Sequence, residues 1–268
     1  MPIDSQTSTP LAAEATLLDQ VREIAERAGE VILGFYAQGD AVEVREKADH
    51  SPVTAADEAA EAVILEALAK LTPEVPVVSE EAFSQGQIPD VSRGRFWLVD
   101  PLDGTKEFIS RNGEFTVNIA LIEDAEPVVG VVHAPARAKS WAGQLNRGAT
   151  LHEAGQAPRP VAVRKRPETG VLVAASRRHG DVAVLDAFLA DYDVGDLVSA
   201  GSSIKFCLVA GGEADFYPRF GRTMEWDTAA GHAVLRAAGG RVETQDGVPL
   251  TYGKPGFDNP HFIAKGKA

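Results

Sequence analysis

The sequence has few features that would cross-link the chain or hold it in a membrane. It contains a single cysteine, Cys207, so no disulfide can form within the chain, and we expect a reducing compartment. No apolar run approaches the roughly 20 residues that span a bilayer. The polar N-terminus also lacks the basic start and apolar centre of a signal peptide. These absences predict a cytoplasmic location.

Basic residues are scarce relative to acidic ones. The chain has 26 lysines and arginines against 39 aspartates and glutamates, which gives a formal net charge of −13. Proteins that coat nucleic acid need a basic surface, so we expect no nucleic-acid partner. A small phosphorylated substrate remains compatible with this charge, provided that metal ions and local basic residues offset the repulsion.

Apolar spacing indicates helices in the first half of the chain and an alternation of strands and helices in the second. Apolar residues at steps of three and four predict a helix over 11–38, and a second helix follows over 54–71. A polar stretch with two prolines separates the two patterns. We therefore expect an α+β domain with a metal and phosphate site over 1–157, and an α/β domain over 158–268.

One short segment carries most of the chemical information. An apolar run that predicts a buried strand ends at Asp100, where Pro101 should turn the chain, and Asp103 follows. Gly104 permits a close backbone approach, and Thr105 can begin a helix. Hard divalent cations prefer oxygen ligands such as these carboxylates, and phosphate binds the N–H groups of a helix N-terminus. The segment predicts metal-assisted phosphate chemistry.

Two more acidic residues occupy suggestive positions, although each also has an ordinary structural explanation. Glu80 follows a short predicted strand, but it could be a solvated loop carboxylate. Asp227 begins a strongly apolar helix and could simply cap it. The pair Asp100 and Asp103 is harder to explain in this way, because clustered carboxylates repel one another unless cations or protons compensate.

Several polar residues admit both a structural and a functional interpretation. Thr105 could cap its helix or orient a water molecule, with Asp57 accepting its hydroxyl proton; Asp57 alone fits a capping box. The segment Ser176–His179 could be a polar turn or a phosphate-binding segment. Lys205 and Arg219 are ambiguous in the same way.

Two motifs together resemble a known family. Asp100–Thr105 and the later Trp226–Gly231 look like the paired signature of the lithium-sensitive, magnesium-dependent phosphatases. That family includes inositol monophosphatase, fructose-1,6-bisphosphatase and the 3'(2'),5'-bisphosphate nucleotidases. The resemblance extends over about residues 11 to 262, and longer strings are similar to the bacterial CysQ-type nucleotidases: 51–57, 78–81, 97–122, 201–210 and 217–221.

The resemblance implies a fold, a reaction and a cofactor. The fold is a layered α/β/α/β/α sandwich, with an α+β N-terminal half and an α/β C-terminal half. The reaction is hydrolysis of the 3'-phosphate of adenosine 3',5'-bisphosphate to give AMP, and the same cleavage of 3'-phosphoadenylyl sulfate, in sulfur assimilation. The implied cofactor is Mg²⁺, with two or more ions, and the implied enzyme is lithium-sensitive.

The resemblance also assigns roles to individual residues of this chain. The implied metal ligands are Glu80, Asp100, the carbonyl of Leu102, Asp103 and Asp227. The implied catalytic residues are Glu80 and Asp103, together with Thr105 and Asp57 as the pair that activates water. The implied substrate contacts are the N–H groups of Gly104 and Thr105, the side chains of Ser176, His179, Ser202, Lys205 and Arg219, and the groups at Glu80, Leu102, Asp103 and Asp227.

Two positions depart from the family pattern. Arg178 stands where related sequences usually have a serine. Phe220 stands seven residues before Asp227, where inositol monophosphatases place a glutamate that holds the inositol ring.

Three alternative functions remain open. They are an inositol or sugar phosphatase, a non-catalytic nucleotide sensor, and docking at the cytoplasmic face of the inner membrane, where CysQ-type relatives are described as peripheral. The acidic charge gives membrane docking no electrostatic support, and the sequence predicts no oligomeric state.

Overall fold

The computed structural model describes residues 15–39, 44–46, 52–175 and 182–267. The elements of the first part are α1 (Leu17–Tyr36), β1 (Val44–Glu46), β2 (Pro52–Thr54), α2 (Ala55–Leu71), β3 (Val77–Ser79), α3 (Glu80–Ser84), β4 (Arg95–Asp103), α4 (Thr105–Ile109), β5 (Thr116–Glu123), β6 (Glu126–Ala134), β7 (Lys139–Gln144), β8 (Gly148–Glu153) and β9 (Arg159–Val161). The elements of the second part are β10 (Val171–Ala175), α5 (Val182–Leu189), β11 (Val194–Ser199), α6 (Ile204–Ala210), β12 (Phe216–Arg219), α7 (Glu225–Ala237), β13 (Arg241–Thr244) and β14 (Phe262–Lys265).

The larger sheet has seven strands in the order β3-β4-β5-β6-β7-β8-β9. Strands β3 and β4 are parallel, and every other neighbouring pair in this sheet is antiparallel. The side chains of β5 are buried on both faces, because helices cover both sides of the sheet. The predicted domain boundary at 157/158 stays a prediction; β9 lies just beyond it and pairs with β8.

The smaller sheet has five strands in the order β11-β10-β12-β14-β13. Strand β10 is parallel to both of its neighbours, whereas β14 is antiparallel to both β12 and β13. Helix α5 covers the outer face of this sheet, where Phe188 packs edge-to-face on Phe216 at 5.7 Å between ring centroids. The alternation of strands and helices therefore forms an α/β layer, as the sequence predicts.

The elements stack in five layers. Helices α1 and α2 pack on the outer face of the seven-stranded sheet, and α7 packs on its inner face beside α6. The five-stranded sheet lies on the other side of α6 and α7, and α5 lies outside it. This order confirms the α/β/α/β/α sandwich. In the described part of the chain, no helix is long and apolar enough to cross a membrane.

Local sequence signals explain where the first helices begin. Thr16 and Asp19 form a reciprocal capping box, so α1 begins at Leu17; the part of the predicted helix from 11 to 14 lies outside the described residues. Thr54 and Asp57 form the same box at the start of α2, as predicted. Strand β2, directly before α2, pairs antiparallel with β1.

Helix α7 approaches the larger sheet closely because the strands beneath it carry glycine. A Cβ atom built at Gly130 of β6 would lie 2.5 Å from the carbonyl oxygen of Ala230 and 2.6 Å from the Cβ of Ala233. Both contacts are to the helix itself, so no flexible side chain could move aside. The absence of a side chain at Gly130 is therefore what allows α7, which carries Asp227, to sit so close to the sheet.

We expect Gly130→Ala to destabilise the protein by about 2 kcal/mol or more, because the added methyl group pushes α7 away from β6. Thermal and denaturant unfolding would measure the change. Gly34→Ala is the matched control, since Gly34 is exposed in α1 with nothing within 4 Å of the added atom. It should stabilise the protein by roughly 0.5–1 kcal/mol. Equal unfolding midpoints for the two variants would contradict the account.

Candidate functional site

Two parallel strands bring the first acidic residues to the same edge of the larger sheet. Ser79 of β3 pairs with Val99 of β4, so the next residues, Glu80 and Asp100, lie at the same level. Glu80 opens the short helix α3, and Asp100 continues β4 as a buried residue. Parallel strands end on the same edge, which is why two carboxylates from separate parts of the chain meet here.

The strand that carries the central motif does not end at Asp100. The prediction of a turn at Pro101 is wrong, because β4 continues to Asp103. Asp100 pairs with Asn118 and Asp103 pairs with Thr116, so β4 advances by three residues where β5 advances by two. This extra residue makes a β-bulge, which re-aims side chains and is common beside active sites.

A left-handed glycine links the bulge to a short helix. Gly104 has φ 90° and precedes Thr105, the first residue of α4. The Thr105 hydroxyl donates to Asp57 Oδ1 at 3.3 Å and lies 3.4 Å from the carbonyl oxygen of Leu102. Asp57 is 2% exposed, and its Oδ2 accepts from the N–H and the hydroxyl of Thr54. The structure therefore places Thr105 and Asp57 together, with Asp57 behind the threonine.

Asp103 is held by groups from both halves of the chain. Its Oδ2 accepts from the Ser203 N–H at 2.7 Å, from the Ser203 hydroxyl at 3.1 Å and from Asn118 Nδ2 at 3.2 Å. Its other oxygen takes no part in these contacts. The donors fix the orientation of the carboxylate without neutralising it.

Asp227 lies inside the first turn of α7, not at its N-cap. It is the third residue of the helix. Its Oδ2 accepts from the N–H of Met224 at 2.9 Å and so satisfies one of the donors at the helix N-terminus. Burial raises the pKa of Asp227 well above its usual value, and the charges of Asp103 and Glu80 raise it further. The carboxylates are thus close enough to repel one another.

Glu80, Asp100, Asp103 and Asp227 line one cleft with a volume of about 350 Å³, a size typical of small-molecule sites, whereas Asp57 does not line it. The predicted site residues that line it are Glu80, Asp100, Leu102, Asp103, Gly104, Thr105, Ser202, Lys205, Arg219 and Asp227. Its walls also include Pro52, Lys106, Glu107, Ala200, Gly201, Tyr217, Arg222, Thr223 and Thr228. Ser176, Arg178 and His179 lie outside the described residues.

The basic residues of the cleft occupy different environments. Lys205 is buried, and its Nζ donates to the carbonyl oxygens of Ala200 at 3.1 Å and Ser202 at 2.7 Å. Burial lowers the pKa of Lys205 to about 8, although the nearby charge of Asp103 opposes that shift. Arg219 donates from Nη2 to the carbonyl oxygen of Arg222 at 3.1 Å. Among the described residues, the buried Nε of Arg219 has no hydrogen-bond partner.

The donor set of the cleft fits a hard divalent cation. Across 15–39, 44–46, 52–175 and 182–267, no group of three or more His, Cys, Asp or Glu side chains is arranged so that it could already hold a metal ion. Mg²⁺ does not require such a group, because it keeps several waters and typically takes one or two carboxylates plus substrate phosphates. Carboxylate oxygens with a backbone carbonyl beside them are ligands of that kind.

The sequence analysis missed two residues that hold the predicted ligand Asp103 in place. Asn118 is fully buried in β5, and Ser203 precedes α6; both contact Asp103. A signal for Asn118 was present, since an amide in the middle of an apolar strand is rarely buried without a partner. Ser203 gives no such signal, because serine before a helix is usually a cap.

Comparison with known proteins places these features in a family. The family model for the inositol monophosphatase family matches residues 14–265. The chain is 48% identical over 248 residues to the 3'(2'),5'-bisphosphate nucleotidase CysQ of Escherichia coli K12, covering 92% of this chain and 98% of the relative. It is 39% identical to the CysQ of Buchnera aphidicola over 92% of this chain and 93% of that protein.

Solved structures agree with the sequence matches. The crystal structure of CysQ from Bacteroides thetaiotaomicron superposes with a TM-score of 0.80 at 38% identity, covering 96% of this chain and 99% of that one. An inositol monophosphatase from Anabaena superposes with a TM-score of 0.74 at 28% identity, covering 93% and 90%. With its five layers and its acidic cleft, this chain belongs to the inositol monophosphatase family.

Proposed function

We propose that this chain is a magnesium-dependent 3'(2'),5'-bisphosphate nucleotidase that converts adenosine 3',5'-bisphosphate to AMP and phosphate. It removes the 3'-phosphate of 3'-phosphoadenylyl sulfate in the same way, and the enzyme serves sulfur assimilation. The observation that carries the proposal is the 48% identity to a CysQ nucleotidase over almost the full length of both chains. The cleft supports it, because the predicted carboxylates converge there.

Enzymes of this family generally use Mg²⁺, and we propose that this chain binds two or more ions. The ligands would be the carboxylates of Glu80, Asp100, Asp103 and Asp227 with the carbonyl oxygen of Leu102. Bound Mg²⁺ supplies two effects in phosphoryl transfer: it makes water a better nucleophile at neutral pH, and it stabilises charge on the phosphate and leaving oxygens.

The protein groups orient water and hold the phosphate. Because the Thr105 hydroxyl directs its proton toward Asp57, its lone pairs can accept from a water molecule in the cleft and fix its direction of attack. The N–H groups of Gly104 and Thr105 would hold the oxygens of the phosphate that is cleaved. No side chain needs to act as a nucleophile, since positioning and charge stabilisation account for catalysis of phosphoryl transfer.

The second half of the chain would bind the nucleotide. Lys205 uses two of its three protons on carbonyl oxygens, and Arg219 has a buried Nε with no partner among the described residues. Both line the cleft and would attract a second phosphate. Ser202 would contribute here, and Ser176 and His179 remain predictions of the sequence. Membrane association likewise remains a prediction.

An inositol phosphatase is the alternative within the family, and one residue counts against it. Phe220 is 4% exposed and packs against Phe188 at 5.8 Å between ring centroids. It is not among the residues that line the cleft, so it offers neither a carboxylate nor a contact to a sugar ring there. The sensor alternative would allow the ligands or Thr105 to be lost, yet they are present and converge in the cleft.

Phosphate release with Mg²⁺ should be at least about tenfold more efficient, as kcat/KM, for adenosine 3',5'-bisphosphate than for inositol 1-phosphate. A preference for inositol 1-phosphate would refute the proposed substrate.

Asp103→Asn should reduce kcat by about two or more orders of magnitude, because the amide keeps the contacts to Ser203 but lacks the charge that binds metal. Asp246→Asn, in an exposed turn, is the control and should retain wild-type rates.

Asp227→Asn should stabilise the protein in chelator and remove its response to Mg²⁺. The amide can still accept from Met224, while the charge repulsion from Asp103 and Glu80 disappears, so we expect the Tm to rise by about 2–5 °C. Wild-type protein should gain about 2–3 kcal/mol at Mg²⁺ concentrations near 100 times Kd. Scanning calorimetry with EDTA and with Mg²⁺ measures both effects, and a destabilised variant in EDTA would contradict the repulsion.

A further inference from the structure

Glu114 precedes β5 in the chain and contacts a loop from the other half of the protein. Its side chain is buried, with 6% of the residue exposed. Oε2 accepts from the N–H of Gly201 at 2.8 Å, and Oε1 accepts from Arg137 Nη2 at 2.7 Å. A buried carboxylate in this position is strongly bound, because both of its oxygens have charge-assisted partners.

The main chain of Glu114 contacts the same loop. The hydroxyl of Ser202 lies 2.7 Å from the carbonyl oxygen of Glu114 and 2.8 Å from that of Asp103, so both possible acceptors of its proton belong to the first half of the chain. A Cβ atom built at Gly201 would lie 2.8 Å from the carbonyl oxygen of Glu114 and 2.9 Å from Glu107 Cγ. The loop 200–203 therefore rests directly on the segment around Glu114.

The loop in turn determines where Lys205 points. Lys205 Nζ donates to the carbonyl oxygens of Ala200 and Ser202, which flank the residue whose N–H Glu114 binds. If Gly201 moved, both acceptors of the lysine would move with it. Lys205 lines the cleft and is buried, so it has little freedom to compensate by adopting another rotamer.

We propose that Glu114 is a positioning residue for the substrate: it holds the loop 200–203 so that Lys205 faces the bound nucleotide. This inference rests on the proposed function, because it assigns Lys205 to that substrate. Glu114 itself does not line the cleft. Its effect should therefore appear mainly as weaker substrate binding, since Glu80 and Asp100 are held by β3 and β4.

Two single variants separate the contact with the loop from the ion pair. Glu114→Ala removes both the acceptor for Gly201 and the partner of Arg137, whereas Arg137→Ala removes only the ion pair. Arg137 is 38% exposed at its side chain, so water can replace it beside Oε1 while Oε2 keeps the N–H of Gly201. The difference between the two variants then reports the contact with Gly201.

The first readout is hydrogen exchange of the Gly201 amide, followed by NMR in the ligand-free protein. Glu114→Ala should speed this exchange by about tenfold or more, because the amide loses its charged acceptor. Arg137→Ala should change it by less than about threefold. Unchanged exchange in Glu114→Ala would overturn the proposal.

The second readout is the division of the effect between KM and kcat on adenosine 3',5'-bisphosphate. Glu114→Ala should raise KM by about tenfold or more and change kcat by less than about threefold, which a general loss of stability would not do. An unchanged KM with faster exchange would overturn the positioning role, as would an equal KM increase in Arg137→Ala. If wild-type protein released no phosphate, the proposed function would fail, whereas the exchange experiment would still decide whether Glu114 holds the loop.

If Glu114→Ala does not fold, Glu114→Gln takes its place. The guanidinium of Arg137 should draw the single amide oxygen, which leaves the NH₂ group against the N–H of Gly201. Both readouts should then move in the same direction as for Glu114→Ala. Wild-type values for both readouts in Glu114→Gln would overturn the proposal.

Discussion

The repulsion between carboxylates gathered in one cleft is the interaction on which the rest of this structure depends. Asp227 is half-buried, and partial burial together with the charges of Asp103 and Glu80 raises its pKa. Such a cluster destabilises a folded chain unless cations or protons offset it. The fold holds the cluster through backbone donors: the N–H groups of Leu102, Ser203 and Met224 each bind one carboxylate.

The cleft exists because the two halves of the chain are joined at these carboxylates. Asp103 lies on the bulged end of β4, yet the donors at Ser203 come from the segment before α6, one hundred residues away in sequence. Helix α7, which carries Asp227, packs on the larger sheet and contacts α6. Local unfolding of either half would therefore separate the proposed metal ligands, so metal binding and folding stability should be coupled.

The same geometry separates the two tasks of a bisphosphate hydrolase. The acidic residues and the Thr105–Asp57 pair come from the first half and from α7. Lys205 and Arg219 come from α6 and β12 and line the same cleft. A substrate with two phosphates can thus place one phosphate near the carboxylates and the other near the basic groups, which suits a nucleotide bisphosphate better than a neutral sugar ring.

Much of the site could be predicted from the sequence, because the motifs are contiguous and their chemistry is specific. Glu80 follows β3, Asp100 and Asp103 lie within β4, and the parallel pairing of these strands puts Glu80 level with Asp100; their role as metal ligands stays a prediction. The layered sandwich was predictable from the resemblance to the lithium-sensitive phosphatases, and the second-half helices and strands from their alternation.

Other features depend on tertiary contacts that leave little trace in local sequence. The bulge at Asp100–Asp103 could not be predicted, because Pro101 normally indicates a turn and the strand register depends on the partner β5. The position of Asp227 as third helical residue, rather than N-cap, depends on the Met224 contact. The contact between Glu114 and Gly201 joins residues 87 positions apart, and no spacing rule reveals it.

The central claim is that the carboxylates of Glu80, Asp100, Asp103 and Asp227 meet to bind divalent metal. Anomalous diffraction from crystals soaked in Mn²⁺, which prefers the same oxygen ligands as Mg²⁺, tests this directly. The account predicts anomalous peaks inside the cleft, with at least Asp100 and Asp103 within about 2.0–2.4 Å of the ions. Full Mn²⁺ occupancy elsewhere on the protein, with no peak beside these carboxylates, would contradict it.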